Sequence, residues 1–364
     1  MYQNVFIIGA TGKVGSTLVH QIYEKGDTSR SIHVNPTRIV GLASSSSVAF
    51  SKKGIGKKEA LKFLKTKNGI SYNRLDELIA LARTNRDHLV FVDVTALKEP
   101  MIEFHKKVIS KTPFSIVTAN KNPIAYADFN TFTFLTKEPD RYGYRCSVMA
   151  GADAVPFLRD LRDVRDKPTL IEGCFSGTLG YITSMLERNK RFSDILDTAW
   201  RRGYTEPDPR DDLSGFDVAR KLVVLARSAG VPVGLKEVHV QPFIPRSYFK
   251  KESVGKFIRS TKGLDHHFAQ EIKSAKKNGS VLRYVATMRM KGNTPCLSVR
   301  LQKVVTNSQL VALQGTLNKI LVVSKIYGKE NPYSVQGPGA GLDVTAQNIR
   351  RDLLYLLERR VITQ

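Results

Sequence analysis

The sequence is poor in cysteine, in long apolar runs and in clustered histidine. Its three cysteines, Cys146, Cys174 and Cys296, lie far apart without a C-x-x-C pair, which excludes a disulfide scaffold and a zinc site of paired cysteines. The seven histidines show no metal-ligand spacing. No apolar run approaches the ~20 residues of a membrane-spanning helix, and no basic segment precedes the first apolar stretch. We therefore expect a protein of a reducing compartment, the cytoplasm, with no membrane partner.

Acidic residues are also scarce. The chain of 364 residues has 57 Lys+Arg and 33 Asp+Glu, a formal net charge of +24, and its length predicts about two domains. The charge is +10 over residues 1–150, zero over 151–230 and +14 over 231–364. Seven lysines between Lys52 and Lys67 predict a solvated surface or loop, with contact to a phosphate as the alternative. The basic C-terminal third lacks interleaved aromatics and zinc-finger or helix-turn-helix spacing, which argues against a nucleic-acid partner.

Apolar patterning over the first 150 residues alternates between strands and helices. Val5 to Ile8 is a short apolar run typical of a buried parallel strand, and apolar residues recur at helical spacing from Val14 to Ile22. Further strands are predicted at 38–43, 89–94 and 115–118, with a helix at 75–81. Such βαβ alternation predicts an α/β fold with a Rossmann-type, doubly wound parallel sheet.

A glycine-rich turn lies between the first predicted strand and helix. Its spacing is G-x-x-G-x-x-G, with glycines at Gly9, Gly12 and Gly15. Glycine permits a tight turn and lets backbone amides approach a pyrophosphate at the positive end of the helix. The segment predicts a dinucleotide site, with a plain glycine-rich turn as the alternative. The expected cofactor contacts are Gly9, Thr11, Gly12, Lys13, Val14 and Gly15.

The end of the second predicted strand bears on the choice of cofactor. NAD sites commonly place an acid there to bind the ribose 2′-hydroxyl. This strand ends instead in four serines, from Ser44 to Ser47, with Lys52 and Lys53 close behind. Hydroxyls and lysines suit a 2′-phosphate, so we expect NADP, with Ser44 as a contact. NAD is the alternative, and the serines also fit an ordinary loop.

The neutral middle of the chain contains an acid-rich loop followed by an apolar helix. Prolines and glycines make the first half of residues 203–222 a rigid loop, and residues 218–226 are apolar enough for a buried helix. Asp217 and Lys221 stand at i and i+4, so their side chains meet on one helix face. Partial burial would disfavour the lysine cation while the carboxylate restores it, a balance that suits proton transfer. A solvated surface pair is the alternative.

The segment from Gly203 to Leu222 closely resembles the substrate loop and helix of homoserine dehydrogenases, including the dehydrogenase half of aspartokinase fusions. Similar motifs occur in order at Asp93-Val94-Thr95, Val117-Thr118-Ala119-Asn120-Lys121, Phe175-Ser176-Gly177-Thr178 and 337–346. The resemblance implies a dinucleotide-binding domain at 1–150 with 337–364, and an α+β substrate and dimerisation domain at 151–336. It also implies reversible NAD(P)-linked conversion of L-aspartate 4-semialdehyde to L-homoserine, in threonine and methionine biosynthesis, by a homodimer.

The resemblance also implies roles for residues of this chain. Lys221 would be the proton donor to the aldehyde oxygen, and Asp217 would bind substrate and tune that lysine. Lys121, the third catalytic position, would lie beside the nicotinamide and the substrate. The further substrate-binding positions are Glu206, which would hold the substrate ammonium, Tyr204 and Asp212. The further cofactor-binding positions are Thr95, Gly203 and Gly339.

One departure from the family pattern concerns a metal. Arg145 stands where family members have an acid that, with backbone carbonyls, holds a sodium ion. A guanidinium offers donors and positive charge where a cation needs oxygen ligands. We expect no equivalent metal site, or one rebuilt around Asp153.

Two other functions stay open at this point. An acylating aldehyde dehydrogenase would use Cys146 or Cys174 as its nucleophile, which requires a low-pKa thiol with a paired base. A catalytically poor dinucleotide-binding scaffold would bind RNA or another polyanion through the basic surface. The intact Glu206, Asp217 and Lys221 oppose this second function.

Overall fold

The computed structural model describes residues 2–84, 88–250, 253–311, 313 and 315–361, and the chain divides into two compact units. One unit contains Met1–Gly151 with Ala340–Gln364, and the other contains Ala152–Gly339. The boundaries expected from the sequence, after residues 150 and 336, lie one and three residues before these positions.

The described part of the first unit contains one sheet with helices around it. Its strands are β1 (Gln3–Ile8), β2 (Thr37–Ala43), β3 (Ser47–Phe50), β4 (Ile70–Ser71), β5 (Leu89–Asp93), β6 (Ser115–Thr118) and β7 (Tyr142–Gly143). Its helices are α1 (Lys13–Glu24), α2 (Lys57–Thr66), α3 (Leu75–Arg83), α4 (Glu99–Lys111), α5 (Asn122–Tyr126), α6 (Phe129–Thr136) and the last helix of the chain, α14 (Leu342–Val361).

The sheet of the first unit confirms the predicted Rossmann-type architecture. Its strand order is β4-β3-β2-β1-β5-β6-β7, and the five strands from β2 to β7 in this order pair in parallel. The strand order reverses at β1, which lies between β2 and β5. In such sheets the crevice at the carboxyl ends of the strands on either side of the reversal receives a ligand. The antiparallel edge strands β3 and β4 were not predicted.

Both faces of this sheet are buried, which explains why every residue of β1 is buried and why its second half, Val5 to Ile8, is apolar. On one face Val5 and Ile7 belong to a core shared with residues of α1, α2 and α14. On the other face the ring centroids of Phe6 and Phe91 lie 5.1 Å apart, and Phe91 packs edge to face against Phe104 of α4, also at 5.1 Å. Helices therefore cover the parallel strands from both sides.

The lysine-rich stretch at 52–67 is a surface, as predicted, but much of it is the helix α2 rather than a loop. Ala60 and Phe63 stand three residues apart and are buried, while the lysines are exposed. An apolar pair at helical spacing is enough to anchor a basic helix to the core.

The C-terminal helix α14 has 20 residues and packs into the first unit. Ile349 and Leu353 are buried in the core, and the Leu353 carbonyl accepts a hydrogen bond from Gln3 Nε2 at 2.7 Å. Arg350 pairs with the buried Asp27 beyond the end of α1. In the part of the chain that the structure describes, no helix is both long and apolar enough to cross a membrane.

The second unit is an α+β arrangement around another sheet. Its strands are β8 (Leu170–Cys174), β9 (Val238–Val240), β10 (Ser280–Lys291), β11 (Thr294–Val305), β12 (Leu317–Val323) and β13 (Tyr333–Pro338). Its helices are α7 (Ala154–Asp163), α8 (Gly177–Glu187), α9 (Phe192–Arg201), α10 (Pro209–Leu213), α11 (Phe216–Ser228), α12 (Val254–Ser260) and α13 (Asp265–Lys277). The strand order is β13-β12-β8-β10-β11-β9, and only the β11/β9 pair among the described strands is parallel.

Candidate active site

The glycine-rich turn of the first unit lies at the carboxyl end of β1, beside the loop that follows β5. Gly9 has a left-handed φ of 85°, and a Cβ there would lie 3.1 Å from Thr95 Cγ2. A Cβ on Gly15 would collide with the Gly9 carbonyl oxygen and lie 2.7 Å from Ala10 Cα, so only glycine lets α1 approach the turn this closely. Gly12 precedes α1 without a side chain to cap its first amides, which lack intrahelical acceptors.

The geometry of this turn fits the pyrophosphate of a dinucleotide, because uncapped amides and the helix dipole attract an anion. The remaining predicted contacts of the segment are at least partly exposed to solvent: Thr11, Lys13 and Val14.

The serines in the turn at the end of β2 differ in burial and in hydrogen bonding. Ser44 is buried, and its Oγ lies 2.8 Å from Ser47 Oγ inside the turn. Tyr72 donates its hydroxyl proton to the Ser44 carbonyl oxygen at 2.6 Å. Ser45 and Ser46 are exposed instead. The hydroxyl of Ser44, which the sequence singled out as a cofactor contact, is therefore engaged inside the β2–β3 turn. The sequence analysis missed this because the pattern does not reveal so short a hairpin.

The loops after β5 and β6 carry the other predicted contacts of this unit, Thr95 and Lys121. The Thr95 amide donates to Asp93 Oδ1 at 2.9 Å. Lys121 is half-buried and immediately precedes α5. Asn120 donates from Nδ2 to Asp93 Oδ2 at 3.0 Å and to the Leu97 carbonyl at 2.8 Å, so it links the two loops. Asn120 lies in a motif quoted above, but no role was assigned to it from the sequence.

In the second unit Lys221 and Asp217 form an ion pair on α11. The distance from Lys221 Nζ to Asp217 Oδ2 is 2.9 Å, and Nζ also donates to the Phe175 carbonyl oxygen at 2.8 Å. The side chain of Lys221 is 13% exposed, against 31% for Asp217, so the pair is shielded from bulk water without being sealed from it. Gly215, with φ 77°, precedes α11, and a Cβ there would collide with the Tyr284 hydroxyl.

Asp212 organises the acidic loop before α11. Its Oδ2 accepts the Glu206 amide proton at 2.8 Å, and its Oδ1 lies 2.9 Å from Thr178 Oγ1. The pKa of Asp212 is raised to about 6, chiefly by burial; the hydrogen bonds from Glu206 and Thr178 oppose the rise, and the Glu206 and Asp217 carboxylates add to it. The three carboxylates therefore lie within electrostatic reach of one another. Thr178 belongs to the quoted motif at 175–178, but its role as a partner of Asp212 was not predicted.

The remaining predicted residues of this loop are open to solvent. Glu206 and Gly203 are exposed, and Gly203 has a left-handed φ of 67°. Tyr204 is 41% exposed, and its ring lies 5.2 Å from that of Tyr181. The exposed Glu206 carboxylate is accessible to a small cationic group.

Gly339 lies directly after β13 in the second unit. A Cβ there would collide with the side-chain amide of Asn318, which is fully buried on β12. Among the described residues neither polar atom of that amide has a hydrogen-bond partner.

Arg145 faces an acid on α14. Its side chain is 8% exposed, its Nε lies 3.1 Å from Asp352 Oδ1, and its amide donates to Asp352 Oδ2 at 3.0 Å. The arginine thus places a cation, fixed by an ion pair, where the family resemblance implies a sodium ligand, and this arrangement does not fit a bound cation. In the described part of the chain, no group of three or more His, Cys, Asp or Glu side chains is placed to hold a metal.

The two cysteines considered as nucleophiles are buried. Burial raises the pKa of the Cys146 thiol well above its usual value and that of Cys174 to about 12. Because the thiolate is the reactive form, neither residue suits nucleophilic catalysis near neutral pH.

The family model described as homoserine dehydrogenase matches residues 156–354, which is more than half of the chain. The chain belongs to the homoserine dehydrogenase family.

Two relatives in this family differ in length. The chloroplastic bifunctional aspartokinase/homoserine dehydrogenase 1 of Zea mays is 32% identical over 359 residues, covering 97% of this chain and 38% of the maize protein. The homoserine dehydrogenase of Saccharomyces cerevisiae is 33% identical over 367 residues, covering 98% of each chain. The chain therefore spans 38% of the bifunctional relative and nearly all of the yeast homoserine dehydrogenase.

Solved structures agree with the fold of the family. A Candida auris protein described as of unknown function superposes with a TM-score of 0.87 at 31% identity, covering 98% of this chain and 99% of the other. A hyperthermophilic archaeal homoserine dehydrogenase in complex with NADPH gives a TM-score of 0.71 at 20% identity, covering 99% and 98%, and shows the fold alone. The comparisons support the dehydrogenase hypothesis and not the polyanion-binding scaffold.

Proposed function

We propose that the protein interconverts L-aspartate 4-semialdehyde and L-homoserine with a nicotinamide dinucleotide as redox partner. The observation that carries this proposal is the Lys221–Asp217 pair, whose Nζ–Oδ2 distance is 2.9 Å, inside a loop and helix that match the family. Such a pair supplies a proton donor beside carboxylates, which the reduction of an aldehyde on an amino acid needs.

Lys221 is the proposed general acid. An ammonium group has three N–H donors, of which one is directed at Asp217 and one at the Phe175 carbonyl. The third is left for the aldehyde oxygen of the substrate. In reduction Lys221 gives its proton to that oxygen, and in oxidation the neutral amine removes the hydroxyl proton. The Asp217 carboxylate stabilises the ammonium form of Lys221, which is the proton donor in reduction and is formed again in oxidation.

The acidic loop binds the charged end of the substrate. Glu206 is exposed and carries the negative charge that the substrate ammonium requires, and its backbone is held by Asp212. Tyr204 and Asp217 complete the proposed binding surface. Loop rigidity matters here because the reacting carbon must be held in a productive orientation.

The proposed dinucleotide contacts in the first unit are the glycine-rich turn, Thr95 and Lys121, and the family resemblance adds Gly203 and Gly339. When bound, the dinucleotide supplies the hydride for the aldehyde carbon. We favour NADP over NAD because Ser45 and Ser46 are exposed at the end of β2 and Lys52 and Lys53 are exposed nearby in sequence. The NADPH complex of the archaeal neighbour is consistent with this preference.

The cellular setting is a further part of the proposal. We propose that the protein acts in the cytoplasm as a homodimer, in threonine and methionine biosynthesis. The yeast homoserine dehydrogenase, 98% of which this chain covers, supports the proposed activity for the residues present.

Steady-state kinetics test the proposal. Reduction of NADP or NAD is followed at 340 nm with L-homoserine as substrate, and kcat/KM is compared between the two cofactors. We expect homoserine-dependent reduction and a higher kcat/KM with NADP. No turnover with either cofactor would contradict the activity, and a clear NAD preference would contradict the serine and lysine argument.

A further inference from the structure

A buried carboxylate joins the two loops at the carboxyl end of the parallel sheet. Asp93, the last residue of β5, is 1% exposed. Its Oδ1 accepts the Thr95 amide proton at 2.9 Å, and its Oδ2 accepts a proton from Asn120 Nδ2 at 3.0 Å. A buried charge is tolerated only when hydrogen bonds compensate its desolvation. Here the compensating hydrogen bonds come from Thr95 and from Asn120, the residue next to Lys121.

Two asparagine side chains fix the backbone on either side of Lys121. Asn120 Nδ2 donates to the Leu97 carbonyl at 2.8 Å, and Asn122 Nδ2 donates to the Ala96 carbonyl at 2.9 Å. The Asn122 amide in turn donates to Asn120 Oδ1 at 3.1 Å. The lysine is therefore carried by a segment that is tied at both ends to the loop after β5.

A histidine and a tyrosine support the carboxylate from behind. His105 of α4 and Tyr142 of β7 are both fully buried, and His105 Nδ1 lies 2.7 Å from the Tyr142 hydroxyl. The other ring nitrogen, Nε2, lies 3.2 Å from Asp93 Oδ2, close to it although not aligned for a hydrogen bond.

Burial, with the Asp93 carboxylate as a smaller cause, keeps the pKa of Tyr142 well above its usual value, so the phenol is neutral beside the imidazole. A neutral phenol can donate to Nδ1 of His105 or accept from it. The Asp93 carboxylate 3.2 Å from Nε2 favours the tautomer that has its proton on Nε2.

We propose that Asp93, Asn120, His105 and Tyr142 are positioning residues that hold Thr95 and Lys121 in place for the dinucleotide. The proposal rests on the function proposed above for the roles of Thr95 and Lys121. A network serving only stability could end anywhere in the core. This one runs from α4 and β7 to the two loops and ends on either side of a predicted catalytic lysine.

Asp93→Asn and Tyr142→Phe test the proposal in the full-length protein. Asp93→Asn removes the charge and turns an amide donor toward Asn120, whereas Tyr142→Phe removes only one hydroxyl at the far end of the network. Tyr23→Phe is the matched control, because it also deletes a tyrosine hydroxyl, here a partly buried one, that is bonded within the first unit, to the Ile55 carbonyl at 2.6 Å. Each variant is measured for thermal stability, for NADPH Kd by fluorescence titration, and for kcat and KM with homoserine.

We expect Asp93→Asn to raise the NADPH Kd and lower kcat by about tenfold each, a loss of ~1.4 kcal/mol in each, with little change in the homoserine KM. Tyr142→Phe should change the NADPH Kd and kcat by more than about twofold each, and by more than Tyr23→Phe changes them. If NADPH Kd and kcat stay within about twofold while only thermal stability falls, the network is structural and the proposal is wrong.

Two further outcomes remain decisive. If Asp93→Asn does not fold, Tyr142→Phe decides by the same criterion. If the wild-type protein binds NADPH but does not turn over homoserine, the proposed function fails. The ratio of NADPH Kd values between Tyr142→Phe and Tyr23→Phe then still decides the positioning role.

Discussion

Replacing Asp212 by asparagine separates the cost of its buried charge from the value of its contacts. In the wild type Asp212 accepts the Glu206 amide and faces the Thr178 hydroxyl. Asparagine can keep both contacts. Its oxygen accepts the Glu206 amide proton, and its nitrogen donates to Thr178 Oγ1, whose own proton turns to the Tyr204 carbonyl, 2.7 Å away.

The magnitude follows from proton linkage. The pKa of Asp212 is raised from 3.8 to about 6 in the folded protein. The native state therefore holds this proton more tightly than the unfolded state, so stability is fully present below pH ~4 and falls as the pH rises to ~6. A shift of this size corresponds to about 3 kcal/mol, and partial exposure to solvent reduces it to ~2 kcal/mol. Asp212→Asn removes this loss.

Urea unfolding at pH 4.5, 6 and 8 measures the effect. We expect Asp212→Asn to be more stable than wild type by ~2 kcal/mol at pH 8, with most of the difference gone at pH 4.5. Asp211→Asn, an exposed carboxylate one residue earlier, is the control and should stay within about 0.5 kcal/mol at every pH. The same Asp212→Asn variant should lose kcat/KM for homoserine, because it removes the negative charge of a carboxylate that the family resemblance makes substrate-binding. A difference that does not depend on pH, or a variant less stable at pH 8, would refute the reasoning.

Three further predictions concern the cofactor turn, the thiols and the cation. Gly15→Ala should raise the NADPH Kd about tenfold, because its Cβ collides with the Gly9 carbonyl and overpacking costs ~1–3 kcal/mol; unchanged titrations would contradict the fit. Iodoacetamide should leave turnover intact, since Cys146 and Cys174 are buried; inactivation that substrate prevents would revive the acylating mechanism. Turnover in sodium, potassium and tetramethylammonium chloride at equal ionic strength should agree within about twofold, because Arg145 does not fit a cation; strict sodium dependence would overturn this.

Local patterns in the sequence predicted the parts of the structure that depend on neighbours in the chain. β1 and β6 are buried throughout and contain short apolar runs because both sheet faces are covered, and the i, i+4 spacing of Asp217 and Lys221 requires only a helix. The short edge strands β3 and β4 were missed, because four and two residues give no usable periodicity. That omission also hid the internal role of the Ser44 hydroxyl.

The sequence patterns could not predict contacts between residues that are far apart along the chain. The Asp93 carboxylate meets Asn120, 27 residues away, and Asp212 meets Thr178, 34 residues away. Arg145 is recognisable from the family resemblance as a departure, but its partner Asp352 lies 207 residues further along the chain. Only the fold brings such side chains together, because pairing depends on which strands become neighbours in the sheet.

The most direct test of the central claim is the steady-state oxidation of L-homoserine with NADP by the wild type and by Lys221→Ala. NADPH Kd is measured on the same samples. The proposed role of Lys221 predicts homoserine-dependent NADPH formation that falls by about 10²- to 10⁴-fold in kcat in the variant, while the NADPH Kd is unchanged. A Lys221→Ala protein with kcat near the wild-type value would contradict the account.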